Sequence, residues 1–486
     1  MFRSKDSQLL MPNGPRSSPT SRVPQSARAV ALAVLVESVK SEEGVDVLLD
    51  RNLKPCSFDS RDRSLAVELT YGVLRRLGTI DWRLELVLDK PLPRLPIIVQ
   101  MLIRLGAYQL IFLDRIPQSA AVNESVQLAR THQRVLGRDW SGFINAVLRQ
   151  LIREPAPPWP SMETHAAKAL AIRYSVPEWM SQRWIDRLGA ATAERICEEV
   201  SAIPPVTLRV NRTKTGRDEF LAQLKQAGIV AKPTSVSPVG IMIENAGPIP
   251  ALPGFQEGLF YVEDEAAQLV PPLLDPQPDD VILDACAAPG GKATHMAELL
   301  RDRGVIYAID RKGARLDLLR QNCARLGIES VLPITGDVRH PSEWIRAVEA
   351  AGRGAQNRKA LFDRILVDAP CSGLGVLRRH PEAKWRKDCA AFSRHHTLQL
   401  QILESVAPRL RPGGVLVYST CSTEPEENEA VIEQFLSTHA EFRRESVAPW
   451  LRADARSFLT ERGDLSTLGN RLSMDGFYAA RLTKVE

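Results

Sequence analysis

No stretch of the 486-residue chain holds the ~18 consecutive apolar residues that a transmembrane helix requires, so the sequence excludes a spanning helix. The longest early apolar segment, Ala29–Val36, is too short to span. It follows an arm rich in Arg and Ser without a cleavage-like site, which argues against a secretory signal. Cysteine is scarce: seven residues, odd in number and widely spaced, with no C-x-x-C pair. That pattern argues against a disulfide framework and against structural zinc, and it fits a reducing, cytoplasmic setting. A strong charge of one sign is also missing, since 63 Lys plus Arg against 58 Asp plus Glu leave only +5. The small surplus is localised: residues 1–156 carry 22 basic and 16 acidic side chains, whereas residues 157–486 carry 41 and 42. A basic first third points toward a polyanionic partner there, against the commoner explanation of a solvated face.

With 44% apolar and 25% charged residues the chain is of ordinary globular composition, and its length predicts two to four domains. Residues 1–26 carry four Pro, six Ser, four basic residues and one acid, the composition of a disordered arm and also of an organelle transit peptide. Residues 27–155 read as helical. Leu32, Leu35, Val36 and Val39 fall at i, i+3, i+4, i+7, as do Ile98, Met101, Leu102 and Leu105, and again Ile144, Val147, Leu148 and Leu151. Pro155, Pro157, Pro158 and Pro160 mark a linker. Residues 161–275 read as a small α+β module, with strands at Val206–Val210, Ile241–Glu244 and Leu259–Val262 and a helix at Arg217–Ala227. From residue 276 onward the rhythm is strand–helix–strand. Val281–Cys286, Val305–Asp310, Val331–Asp337, Ile365–Ala369 and Val415–Cys421 are short apolar runs, most of them separated by helical stretches. This pattern predicts a parallel sheet covered on both faces. Ligands of such sheets sit at the carboxyl ends of the strands.

The first run leads into Asp284-Ala285-Cys286-Ala287-Ala288-Pro289-Gly290-Gly291-Lys292, a turn of small residues that opens a helix. A Walker phosphate loop would need Gly where Cys286 stands and Ser or Thr where Ala293 stands, and a dinucleotide G-x-G-x-x-G is absent. What remains is a nucleoside pocket without a phosphate cradle. Asp310, about 20 residues after the glycines, ends the second run where a carboxylate accepts ribose hydroxyls, and Asp337 ends the third near a purine site. Each aspartate alone is more often a helix cap; together behind one glycine turn they point to an adenosine cofactor without phosphates, S-adenosylmethionine. The fourth run ends in Asp368-Ala369-Pro370-Cys371 and the fifth in Thr420-Cys421, so two cysteines follow adjacent strands toward the crevice. Free cysteines are most often buried small hydrophobes, the reading kept for Cys56, Cys197, Cys323 and Cys389. A thiolate beside a methyl donor suits C5 methylation of a pyrimidine: addition to carbon 6 makes carbon 5 nucleophilic, and loss of the carbon 5 proton expels the thiolate. Asp368 would stabilise the polarised pyrimidine edge.

The stretches DACAAPGGK (284–292), VDAPCSGLG (367–375), RRHPEAKW (378–385) and YSTCSTEPEENE (418–429) resemble the RNA cytosine-C5 methyltransferase family. The resemblance implies Cys421 as nucleophile and Cys371 as the cysteine that resolves the covalent adduct. DNA cytosine-C5 methyltransferases instead use the Pro-Cys cysteine. It implies cofactor contacts at Cys286, Ala287, Ala288, Pro289, Gly290, Gly291, Lys292, Asp310, Arg315, Asp337 and Asp368. ELTYGVLRR (68–76), RLGAYQLIFLDRIP (104–117), AVNESVQLA (121–129) and FINAVLR (143–149) resemble a NusB-type RNA-binding domain. TLRVN (207–211) and DGFYAARL (475–482) fit the same pattern. Fused in this order the parts resemble the Sun/Fmu group of bacterial small-subunit ribosomal RNA methyltransferases. The implied chain is multidomain: an all-α NusB-like bundle, a small α+β RNA-binding module and an α/β Rossmann-like methyltransferase fold. The implied target is 16S ribosomal RNA, at cytosine 967, with a monomer that needs no metal and no membrane. A transfer RNA or large-subunit RNA target, or a noncatalytic RNA-binding or antitermination factor, are the competing readings. Residues 1–26 and the polar 350–359 stretch depart from the pattern. Arg378, Arg379, Lys384 and Arg386 interleave with His380 and Trp385, as in a phosphate-holding or base-stacking loop, or equally in a solvated one.

Overall fold

The computed structural model describes residues 24–244, 246–351, 361–469 and 474–485; the arm up to residue 23 and the polar residues 352–359 lie outside the described residues. The chain forms two compact units that part between Pro157 and Pro158, within the proline cluster.

The first unit is all helix. Its opening helix, Ala27–Ser38, is capped by Ser26, whose hydroxyl accepts the Ala29 amide at 3.2 Å. Of the face expected there, Leu32 and Leu35 are buried and Val36 packs against the core, but the helix stops at Ser38 and Val39 is 53% exposed. This helix is apolar almost all round, so Val30, Ala31 and Val34 are buried beside Leu32 and Leu35. The later faces behave as the spacing predicts. Met101, Leu102 and Leu105 on Ile97–Phe112 are buried with Ile144, Val147, Leu148 and Leu151 on Ser141–Arg153, and Ile98 packs at the edge of the same core.

The second unit opens with three helices that the sequence pattern did not separate from the following module: Met162–Tyr174, Glu178–Leu188 and Ala190–Ser201. Each buries only a few side chains, centred on Trp184, which leaves a weak periodic signal. A four-stranded antiparallel sheet follows, β1 (Val206–Val210), β2 (Ala231–Pro233), β3 (Gly240–Ile243) and β4 (Phe260–Val262), in the order β2-β3-β1-β4. Phe220, Leu221 and Leu224 of the Arg217–Gln226 helix pack with Leu208, Val210, Ile241 and Phe260 of that sheet.

The last sheet contains β5 (Val281–Asp284), β6 (Val305–Asp310), β7 (Val331–Thr335), β8 (Phe362–Asp368), β9 (Leu410–Thr420), β10 (Phe442–Glu445), β11 (Leu465–Ser466) and β12 (Tyr478–Lys484). The order is β10-β12-β9-β8-β5-β6-β7, with β11 beside β12. Strands β5 to β9 are parallel, as expected, but β12 runs antiparallel to both β9 and β10, so the sheet is mixed. Parallel pairing requires a crossover, whereas β12 also pairs antiparallel with the short strand β11 that precedes it. Alternate residues serve opposite faces: Ile282, Ile306 and Leu366 meet Met296, Leu316 and Leu319, while Leu283, Tyr307, Ile365 and Tyr418 meet Trp344, Leu403 and Ile432. From β5 the chain steps outward through β6 and β7, then returns to β8 on the other side of β5. That reversal opens a crevice beyond the carboxyl ends of β5 and β8. The fully buried Arg209 of β1 ties the small sheet to the crevice. Its guanidinium donates to Glu263 (2.7 Å), the Gly291 carbonyl (2.6 Å), Thr294 (2.9 Å) and Glu298 (2.8 Å).

Candidate active site

Beyond β5 the backbone turns sharply before the Gly291–Leu299 helix begins. Gly290 sits at φ +107°, a left-handed conformation that favours glycine, and a Cβ there would make Leu319 Cδ1, 2.2 Å away, shift. The turn is pinned to the next strand: the Ala287 amide donates to the Ile309 carbonyl at 2.9 Å and the Ala288 amide to Asp310 Oδ2 at 3.3 Å. Arg315 donates to the Ala288 carbonyl at 2.5 Å and stands 3.7 Å from Asp310.

The crevice has a volume of about 440 Å³. Cys286, Ala288, Asp310, Arg315, Asp337, Asp368, Cys371 and Cys421, eight of the residues picked from sequence, line it together. Ala287, Pro289, Gly291 and Lys292 line an adjoining recess of about 350 Å³ that shares Cys286, Ala288 and Asp368 with the first. Asp337 stands two residues beyond the end of β7 rather than on its last residue. Hydrogen bonds from the Arg339 guanidinium, at 2.6 to 3.2 Å, hold its carboxyl down to about 2. Val338, Ala369, Leu398 and Ile402 give the same crevice an apolar wall.

Deeper in, Asp368 accepts from Lys292 Nζ at 2.6 Å and from Ser419 Oγ at 2.8 Å. Burial opposes the Lys292 charge, but Asp368 more than offsets it and raises the ammonium above its ordinary value. Asp284 is fully buried with no side-chain donor on either oxygen; burial first, and the nearby Asp368 charge second, push its carboxyl up to about 7. A buried carboxyl group without a cation of its own suits a ligand that carries positive charge. With the apolar wall and the rim carboxylates, this donor set fits S-adenosylmethionine: a purine, two ribose hydroxyls, an ammonium and a sulfonium.

The two cysteines meet as their positions predicted. Cys371 Sγ and Cys421 Sγ are 3.4 Å apart, both are free thiols, and both line the crevice. The hydrogen bond with Cys421, then burial, pushes the Cys371 thiol well above the usual range and keeps it protonated. The Gly375 amide donates to the Cys421 carbonyl at 2.9 Å, and a Cβ on Gly375 would overlap the Gly476 carbonyl oxygen, so the backbones pack tightly behind the thiols. Glu427 carries the turns from below, accepting from Ser372 N (2.6 Å), Ser372 Oγ and Ser422 Oγ, with His395 Nδ1 at 3.0 Å. Arg187 holds Glu424 at 2.7 Å and the Thr423 carbonyl at 2.9 Å, bracing the Cys421 segment from the Glu178–Leu188 helix.

Three of the side chains considered from sequence for a phosphate-facing loop, Arg378, Arg379 and Lys384, are taken up inside the protein, whereas Arg386 and His380 are exposed. Arg378 and Arg379 bind Asp264 and Asp475 in a near-buried cluster, with distances from 2.6 to 3.2 Å, and the Lys384 side chain is fully buried. Those partners lie about 100 residues away, so no local pattern announces them. Sequence reasoning gave Asp284 only as the start of the glycine turn, with no role of its own, and did not name Glu427. Among the described residues no group of three or more His, Cys, Asp or Glu is placed to hold a metal, and no helix is long and apolar enough to cross a membrane.

Known proteins share this arrangement. Residues 271–483 match the family described as 16S rRNA methyltransferase RsmB/F, residues 25–153 the NusB family, and residues 176–250 a ferredoxin-like domain of the RsmF/B-like methyltransferases. A probable ribosomal RNA small subunit methyltransferase B from Synechocystis is 36% identical over 94% of this chain and 99% of its own length. Its counterpart from Bacillus subtilis is 35% identical over 94% and 99%. Ribosomal RNA small subunit methyltransferase B from Shigella sonnei is 39% identical over 78% of this chain and 83% of its own. Among solved structures, PH0851 matches with a TM-score of 0.78 at 26% identity, covering 96% of this chain and 100% of its own. A methyltransferase homolog protein from Pyrococcus horikoshii matches with a TM-score of 0.54 at 28% identity, over 66% and 99%.

Proposed function

The chain belongs to the ribosomal RNA small subunit methyltransferase B family, and from that premise we propose that it methylates carbon 5 of one cytosine in small-subunit ribosomal RNA through a covalent cysteine adduct. The target assigned by resemblance is cytosine 967 of 16S ribosomal RNA. The observation that carries the chemistry is the pair of free thiols, 3.4 Å apart, beside the Lys292–Asp368 pair at the carboxyl ends of β8 and β9.

S-adenosylmethionine, when bound, supplies an electrophilic methyl group on a sulfonium. Asp310 and Asp337 would hold its nucleoside half, with Arg315 and Arg339 fixing the two carboxylates, while the turn from Cys286 to Lys292 would lie against the rest. On the substrate side Cys421 adds as a thiolate to carbon 6 of the cytosine. The sulfur–carbon bond forms as the carbon 5–carbon 6 double bond shifts to carbon 4–carbon 5, and the electron pair collects at ring nitrogen 3. Asp368, whose two oxygens accept from Lys292 and Ser419, would stabilise that edge by accepting from it once ring nitrogen 3 has taken a proton from solvent. Once carbon 5 carries the methyl group, loss of its proton to solvent water restores the carbon 5–carbon 6 double bond and expels Cys421 as a thiolate, which the Cys371 thiol can hydrogen-bond. Cys371, protonated and in hydrogen-bond contact with Cys421, serves this release step.

The helical unit supplies RNA affinity in this reading. The basic surplus lies in its sequence, and Arg130 and Arg134 line one open polar recess of about 590 Å³ on its surface. The small α+β module lends further RNA contact, and the enzyme acts as a monomer in a reducing cytoplasm. The test is methyl transfer from labelled S-adenosylmethionine to deproteinised small-subunit RNA, large-subunit RNA and transfer RNA, with the product mapped by bisulfite sequencing. One labelled cytosine confined to small-subunit RNA is expected. Label confined to transfer RNA or large-subunit RNA would reassign the substrate. RNA binding without transfer to naked RNA or to small-subunit particles would leave the chain a binding factor.

A further inference from the structure

Of the groups that hold the two cysteine turns, Glu427 is the one shared by both. Its carboxyl is fully buried, as is that of Glu424, while Glu426 between them is half-buried. One oxygen accepts the Ser372 amide at 2.6 Å and stands 3.0 Å from His395 Nδ1; the other accepts both the Ser372 and the Ser422 hydroxyl. Ser372 follows Cys371 and Ser422 follows Cys421, and the two hydroxyls are 3.2 Å apart. The Glu427 backbone is fixed in turn, since its carbonyl accepts from Tyr418 on β9, and the next residue, Asn428, donates to the Ser422 carbonyl at 3.0 Å. A buried carboxylate with this many donors is ionised and rigid. Burial opposes that charge, yet the donors hold the carboxyl below its ordinary range.

We propose that Glu427 is a positioning residue that sets the spacing of the two catalytic thiols by binding the residue after each of them. It touches neither sulfur, and it acts through Ser372 and Ser422. Placing two loops from different strands on one acceptor means that neither cysteine can move without straining the other. This inference rests on the two-cysteine mechanism for its catalytic meaning, but the spacing itself is measurable without any RNA.

The test uses the full-length chain with Glu427→Ala and Glu427→Gln. Proximity is read by oxidising the apo protein with diamide, which takes two electrons and two protons as Cys371 and Cys421 form a disulfide; peptide mapping by mass spectrometry follows that pair alone. Catalysis is read as kcat and as KM for S-adenosylmethionine. Glu427→Ala is expected to slow disulfide formation about tenfold and to lower kcat about 100-fold, since a shift near 1 Å has that effect, with KM within twofold. Glu427→Gln keeps the side-chain shape and an acceptor for the Ser372 amide, so it recovers part of both losses; should the alanine variant fail to fold, the glutamine variant is expected to lose about tenfold in kcat. Variants that bind S-adenosylmethionine normally and keep both rates within threefold of the wild type would overturn the proposal. A slowed disulfide in a protein that never methylates carbon 5 would sink the functional reading and leave the positioning role standing.

Discussion

On the β5–β7 side of the crevice, Asp310 and Asp337 each have a holder of their own: Arg315 and the turn amide for the first, Arg339 for the second. On the β8–β9 side two cysteines share one holder, the Glu427 carboxylate, and touch each other. Separate holders let a ligand pocket lose one contact and keep the rest. A shared holder makes the reacting pair a unit, in which damage to one member reaches the other. Substitutions on the first side should therefore add, and substitutions on the second should not.

The largest effect belongs to the shared side. Cys421→Ala should reduce methyl transfer by roughly 10⁴-fold or more, as loss of a nucleophile does, while S-adenosylmethionine affinity by calorimetry stays within about twofold. Adding Glu427→Ala to it should change the residual rate little; an additive second loss would break the comparison. Cys371→Ala should instead let a covalent protein–RNA adduct build up, visible as a shifted band under denaturing conditions. If Cys371→Ala prevents the adduct and Cys421→Ala preserves it, the two thiols have exchanged roles.

An intermediate effect belongs to the separately held side. Asp310→Ala should weaken S-adenosylmethionine binding about 10- to 100-fold, the range for hydrogen bonds to a charged group. Arg339→Ala should weaken it less at neutral pH. Without its clamp Asp337 would return toward an ordinary carboxyl value, so the variant's affinity should fall as pH drops through about 5 to 4, where the wild type, held at about 2, stays charged. The double variant should lose the sum of the two free energies. Calorimetry showing strong coupling between them would erase the contrast with the cysteine side.

How much of this was legible in sequence follows the range of each interaction. The turn from Cys286 to Lys292, Asp310 at a strand end and the two strand-end cysteines are set by spacing along short segments, and the structure gathers them in one crevice. The parallel strands β5 to β9 announced themselves as apolar runs, whereas β12 turned the sheet mixed because the direction of a strand depends on how the chain returns to it. Glu427 was hidden because it stands in a stretch with Glu424, Glu426 and Glu429, which reads as a solvated acidic loop. Its donors come from Ser372, 55 residues earlier, and from Ser422 across a tight turn. Arg378 and Arg379 misled for the same reason. A basic cluster reads as a phosphate grip until partners 96 to 115 residues away, Asp264 and Asp475, are folded against it.

Asp284 sharpens the contrast from inside the ligand side, because among these aspartates it is the one with no side-chain donor. Its carboxyl is pushed up to about 7 from an ordinary 3.8, chiefly by burial. Between those values the folded chain keeps a proton that the unfolded chain has lost, so the stability of the ligand-free protein should fall as pH rises from about 4 to 7. Above that window the loss is complete, and at about 1.4 kcal/mol per pH unit it approaches about 4 kcal/mol. Asp284→Asn presents a neutral group of the same shape at every pH. It should flatten that slope and leave the variant more stable than the wild type at pH 8, by a difference that vanishes near pH 4. Urea unfolding of the two ligand-free proteins across this range is the measurement. Parallel curves would mean that Asp284 already has a partner for its charge, as Asp310 and Asp337 do, and that the ligand side holds no carboxylate in reserve for a cation.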